Sequence, residues 1–80
     1  MGRMERYLQR FGENVRQARH DHGWTQEDLS AQTGLAVVQV SRIELGKREI
    51  RLSTLIRLLD GLDVQPDTLL KGVLRKDPTP

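Results

Sequence analysis

Between Thr25 and Gly46 the chain has room for only two short helices, and this punctuation constrains the fold more than any other feature. Thr25 is followed by Gln26, Glu27 and Asp28. A Thr with an acid three residues on forms an acidic variant of the capping box, in which each side chain serves the other's backbone N–H. Trp24 and Leu29 then fall at the two positions of a hydrophobic staple. Glu27 and Asp28 also suit the positive end of the helix dipole. The helix that starts there ends at Thr33, with Gly34 as the residue past its end. Another begins almost at once, from about Ala36 to Leu45, and Gly46 stops it.

Two short helices joined by a three- or four-residue turn containing Gly have the shape of a helix-turn-helix. Three further helical patterns flank them. The first runs from about Glu5 to His20. Leu8, Phe11, Val15 and Ala18 draw one stripe, with Tyr7 at its margin. Gly12 sits inside this pattern and weakens it, and His22-Gly23 ends it. The fourth runs from about Leu52 to Leu62. Leu52, Leu55, Ile56, Leu58, Leu59 and Leu62 give it a broad apolar face, so it is expected to be the best-buried helix. The fifth opens with Pro66 at its first position, carries Asp67, Leu69 and Leu70, and halts at Gly72. No strand alternation and no internal repeat interrupts this order. The expected fold is all-α: a single compact five-helix domain over residues 1–74, with a flexible tail over 75–80.

Composition narrows the function. At 80 residues and +2 formal charge the chain makes one small domain with little margin of stability. The absence of cysteine excludes a disulfide scaffold, a thiolate zinc site and thiol catalysis, and fits a reducing cytoplasm. No apolar run approaches the roughly 18–20 residues of a membrane span, and no signal peptide is apparent. His20 and His22 fall on different faces of a helix and have no carboxylate at ligand spacing, so no metal is expected. No Ser–His–carboxylate set or glycine-rich phosphate loop appears, so neither catalysis nor a cofactor is expected. The net charge of +2 does not itself announce a nucleic-acid partner; position must.

Position points to the third helix. At 100° per residue, Ala36, Val40 and Ile43 cluster as the natural core face. The opposite arc holds Val37, Val38, Ser41, Arg42 and Leu45. A surface so apolar, broken by one Arg and one Ser, needs a partner. A second subunit, another protein or the major groove of DNA would each fit. In the groove, apolar side chains meet thymine methyls and Arg reads guanine. Lys47 and Arg48, with Arg51 just beyond, stand where phosphate contacts would follow such a helix. Glu49 among them has no evident role.

From Arg16 to Gly72 the chain resembles the phage-repressor and Cro (XRE) type of helix-turn-helix. The resemblance rests on Arg19-His-Asp-His-Gly-Trp-Thr-Gln-Glu-Asp-Leu29, Thr33-Gly-Leu35 and Val40-Ser-Arg-Ile-Glu-Leu-Gly-Lys47. Leu52-Ser-Thr-Leu55, Leu62-Asp-Val64 and Pro66 to Leu70 extend it. It implies a lambda-repressor-like fold and a sequence-specific regulator, most simply a repressor. Such a regulator inserts its third helix into the major groove of an operator as a homodimer. It implies base reading by Val37, Val38 and Arg42 with Ser41 beside them, and a contact by Gln26 to a phosphate, alone or together with one to a neighbouring recognition side chain. Lys47 and Arg48 correspond to backbone-contacting positions, and Arg51 adjoins them. Arg19 and Glu44 correspond to an ion pair that orients the third helix. The chain departs from the family where Ala36 replaces a capping Ser or Thr, where Val37 and Val38 replace polar readers, and where Ile50-Arg51 replaces Pro-Ser.

A two-fold operator implies a seam between subunits, for which Leu70, Val73 and Leu74 are the candidates, along with Leu69 if it is not spent on the core. The alternative is an antitoxin-type or restriction-modification controller protein, whose partner would be a toxin or another protein. RNA polymerase is a further possible partner for a regulator docked in this way.

Overall fold

The structure is a computed structural model that describes residues 2–74. The expected tail, 75–80, lies outside the described residues. Five helices follow in order: α1 (Arg3–Asp21), α2 (Gln26–Thr33), α3 (Val37–Glu44), α4 (Leu52–Leu62) and α5 (Pro66–Leu70). The described residues contain no strand.

The stripe on α1 supplies Phe11, Val15 and Ala18 to the core, while Leu8 is only half-buried. Leu29 of α2, Leu35 of the following turn, Val40 and Ile43 of α3, Leu58 and Leu62 of α4, and Leu69 of α5 complete it. Trp24 packs against this cluster at the entry to α2, as its staple position requires. Its ring also stacks on His22, with centroids 4.0 Å apart. The His22 Nε2 lies 2.6 Å from the Leu62 carbonyl oxygen, so the end of α1 is tied to the end of α4.

Two expectations need correction. α4 is not the best-buried helix: Leu58 and Leu62 are fully buried, but Leu52 is 71% and Ile56 55% exposed. The apolar face is wider than the space its neighbours cover. Ala36 is exposed rather than core, because it is the N-cap of α3 and its backbone is still extended. Glu44 takes the buried place on that face instead. Of the seam candidates, Val73 is half-buried against its own core, while Leu70 and Leu74 are exposed.

The capping box at Thr25 forms in full. Asp28 N donates to Thr25 Oγ1 at 3.1 Å and Thr25 N to Asp28 Oδ2 at 2.9 Å. α5 is too short to stand alone. Beside burying Leu69 it is held by Asn14, whose Nδ2 donates to both Leu69 O and Lys71 O at 2.8 Å.

Candidate nucleic-acid interface

α2 and α3 are joined by Gly34, Leu35 and Ala36. With Ala at its N-cap, α3 has no side-chain cap. The turn itself is pinned from α2 instead. Gly34 N donates to Ser30 O at 2.9 Å, Leu35 N donates to Thr33 Oγ1 at 3.2 Å, and the Ser30 hydroxyl donates to Leu35 O. Two side chains of α2 therefore hold the segment from which α3 starts, and satisfy polar groups of a turn whose Leu35 is buried.

The far end of α3 is fixed as firmly. Gly46 N donates to Ile43 O at 3.0 Å and Lys47 N to Arg42 O at 2.9 Å, which is the Schellman pattern. It requires a left-handed residue after the cap, and Gly46 supplies it at φ 69°. The chain thereby turns back, and Lys47 and Arg48 follow directly beside the end of α3.

Between these ends a buried ion pair sets the orientation of α3. Arg19 Nε donates to Glu44 Oε2 at 2.7 Å and Nη2 to Oε1 at 3.0 Å. Nη1 donates to the Trp24 carbonyl at 2.8 Å. Both residues are buried, and the geometry is the bidentate fork that makes such pairs strong. The hydrogen bond to Glu44 raises the Arg19 guanidinium's hold on its proton, against the opposing effect of burial. Gln26 joins the cluster by donating Nε2 to Glu44 Oε1 at 3.2 Å. One carboxylate on α3 thus meets side chains from α1 and from the first turn of α2.

With Val40, Ile43 and Glu44 turned inward, Val37, Val38, Arg42 and Leu45 are left in solvent, with Ser41 half-buried among them. Val38 is 57% and Leu45 60% exposed. Lys47, Arg48 and Arg51 are all exposed beside this arc. The sequence-predicted residues of α3 and the following loop are therefore exposed, apart from half-buried Ser41, and Gln26 is tied to α3 through Glu44. The seam candidates Leu70, Val73 and Leu74 lie elsewhere, after the start of α5. Asn14 and Ser30 are organising residues that sequence reasoning missed. A polar residue within a helical stripe gives no sign of the distant carbonyl it will meet. No helix among the described residues is long and apolar enough to cross a membrane.

A helix-turn-helix family model matches residues 15–69. YqaE of Bacillus subtilis, described as an uncharacterized HTH-type transcriptional regulator, is 37% identical over 62 residues, covering 78% of this chain and 53% of that protein. The SPbeta prophage-derived regulator YonR of the same organism is 36% identical over 62 residues, 78% of this chain and 57% of that one. The chain thus spans about half the length of these curated relatives. Among solved structures, the restriction-modification controller protein C.AhdI from Aeromonas hydrophila superposes with a TM-score of 0.75 at 34% identity, covering 78% of this chain and 94% of that one. The controller C.Esp1396I superposes with a TM-score of 0.75 at 28% identity, over 89% of this chain and 96% of that one.

Proposed function

The chain belongs to the phage-repressor and Cro (XRE) type of helix-turn-helix regulators, and from that premise we propose that it binds double-stranded DNA as a homodimer and controls transcription from a two-fold-related operator. The observation that carries this reading is the exposed arc of α3, held in place by the buried Arg19–Glu44 pair. α3 enters the major groove. Arg42 reads a guanine through its fork, and Val37 and Val38 meet thymine methyls, with Ser41 between them. Lys47, Arg48 and Arg51 contact phosphates of the flanking strand. Gln26 contacts a phosphate at the start of α2, with one amide hydrogen already engaged by Glu44.

A dimer would place equivalent α3 helices about 34–36 Å apart or a multiple of that. The domain spans residues 1–74, and the functional setting is a reducing cytoplasm. The solved neighbours favour a controller of a restriction-modification gene pair over an antitoxin. The identity of the adjacent gene, an endonuclease or a toxin, separates the two.

A binding titration against random-sequence duplex over a salt series, followed by selection of preferred sites, tests the reading. Affinity should fall with salt at a slope of about 0.9 per phosphate contacted. On the selected site Arg42→Ala should cost roughly 1–3 kcal/mol and relax one base preference. A wild-type protein without a salt slope would remove the DNA reading altogether. A uniform loss across all sequences would make Arg42 a phosphate contact instead.

A further inference from the structure

A cleft opens along the edge of α3, between the Gly34 turn, the 46–51 loop and the first turns of α4. Gln39, Arg48, Glu49, Arg51 and Arg57 line it. Arg57 belongs to α4, and neither the sequence pattern nor the family resemblance singles it out. Its Nη1 sits 3.7 Å from where a Cβ on Gly34 would stand, so the guanidinium lies over the turn that joins α2 to α3.

Three arginines line this cleft against one glutamate. Among the described residues, none of Arg48, Arg51 or Arg57 makes an ion pair, not even with Glu49, and none of the three donates a side-chain hydrogen bond. Unpaired cations gathered in one concavity focus a positive potential that favours an anion. The position says which anion. On the α3 wheel Gln39 stands next to Arg42, at the border between the exposed arc and the core face. A duplex seated on Arg42 and Val38 would therefore carry a strand of its backbone past this border. The guanidinium fork matches the oxygens of a phosphodiester.

We propose that Arg57 is a phosphate-contacting residue, completing with Arg48 and Arg51 a clamp on the DNA strand beside α3. The inference rests on the regulator reading above and deepens it. Its consequence is that α4, and not only the loop before it, is tied to the DNA, which fixes how deeply α3 sits in the groove. Glu49 stands inside the clamp and opposes the phosphates, which gives a role to an acid that otherwise has none.

The test compares the full chain with Arg57→Gln, Arg57→Lys and Glu49→Gln, titrated over a salt series on random-sequence duplex and on the selected site. Both positions are exposed, and melting followed through Trp24 fluorescence confirms that each variant folds. Arg57→Gln should lower the salt slope by about 0.9 and weaken binding to both duplexes by the same factor, roughly tenfold at low salt. Arg57→Lys keeps the charge and should keep the slope. Glu49→Gln should tighten both complexes. Wild-type slope and affinity in Arg57→Gln would overturn the proposal while leaving the regulator reading intact. A loss confined to the selected site would overturn it as well, because it would make Arg57 a base reader. A wild-type protein with no salt slope would instead fail the regulator reading itself.

Discussion

Glu44 is where three elements meet: its carboxylate accepts two bonds from Arg19 of α1 and one from Gln26 of α2, while its backbone belongs to α3. A buried carboxylate is tolerated only when its charge is matched and its lone pairs are occupied, and both conditions hold here. Removing one partner is therefore worse than removing both. Arg19→Ala leaves Glu44 buried with Gln26 alone and should cost about 3–5 kcal/mol in urea unfolding followed by Trp24 fluorescence. The pair replacement Arg19→Met with Glu44→Leu should be less destabilised than either single change, because no charge is stranded. An unchanged stability in Arg19→Ala would mean that the pair carries no load. The sign of its pH dependence also follows. The Arg19 proton is held more tightly in the folded state than in the unfolded one. That contribution is complete below the ordinary arginine range and is lost only as pH rises through the raised value. It should leave stability flat across neutral pH.

At the scale of elements, what was legible in the sequence was local. The capping box at Thr25 and the helix ends at Gly23, Gly34 and Gly46 depend on neighbours a few residues away, and each stands where the sequence puts it. What depends on distant packing was read less well. Gly12 looks like a flaw in α1 when only α1 is considered. In the fold it is the point where α1 meets the last carbonyls of α3. A Cβ there would lie 2.6 Å from Glu44 O and closer still to Ile43 O. The two views give opposite signs for Gly12→Ala. Helix propensity alone predicts a gain of up to about 1 kcal/mol. The contact with backbone, which cannot swing aside, predicts a loss of roughly 1–3 kcal/mol from forced separation of α1 and α3. The loss should win, and a rise in melting temperature would show that the helices separate at little cost. Asp63 shows the same limit. It closes α4 with φ 53°, a conformation that a sequence reader assigns to glycine. The nearby Gly61 is instead used for close approach to α2, where a Cβ would stand 2.7 Å from Thr33 Cγ2. The width of the apolar face on α4 was likewise readable, but a pattern of leucines does not distinguish a face covered by its own chain from one left for another.

Charge and apolar area over the whole molecule also depart from a single polarised face. Residues 10 and 12 point to nearly opposite sides of α1, and α3 packs on the Gly12 side. On the other side Arg3, Arg6, Arg10 and Lys71 line a second basic groove. Arg10 there has Glu13 at 3.8 Å, an exposed pair worth little. The net charge of +2 thus conceals two basic regions rather than one. The apolar surface bears on the proposed dimer. Val73 is spent on its own core, so the end of α5 offers a partner only Leu70 and Leu74. On α4, exposed Leu52 and Ile56 lie one turn apart and run into half-buried Leu55 and Leu59, a continuous stripe that starts beside the core-facing Leu58 and Leu62 and turns out into solvent. A stripe of this kind is what a self-associating helix presents. Its members lie about 100–160° around α4 from Arg57, so pairing through it leaves the basic cleft open. The seam is therefore expected on α4. Sedimentation equilibrium should show that Leu52→Glu with Ile56→Glu converts a dimer into a monomer that still melts cooperatively, and that Leu70→Glu with Leu74→Glu leaves the dimer in place. The reverse pattern would return the seam to α5, and a wild-type protein that stays monomeric at every concentration would remove both. Because two weakly reading modules gain specificity only when joined, the α4 variant should also lose operator affinity far more than it loses affinity for random duplex.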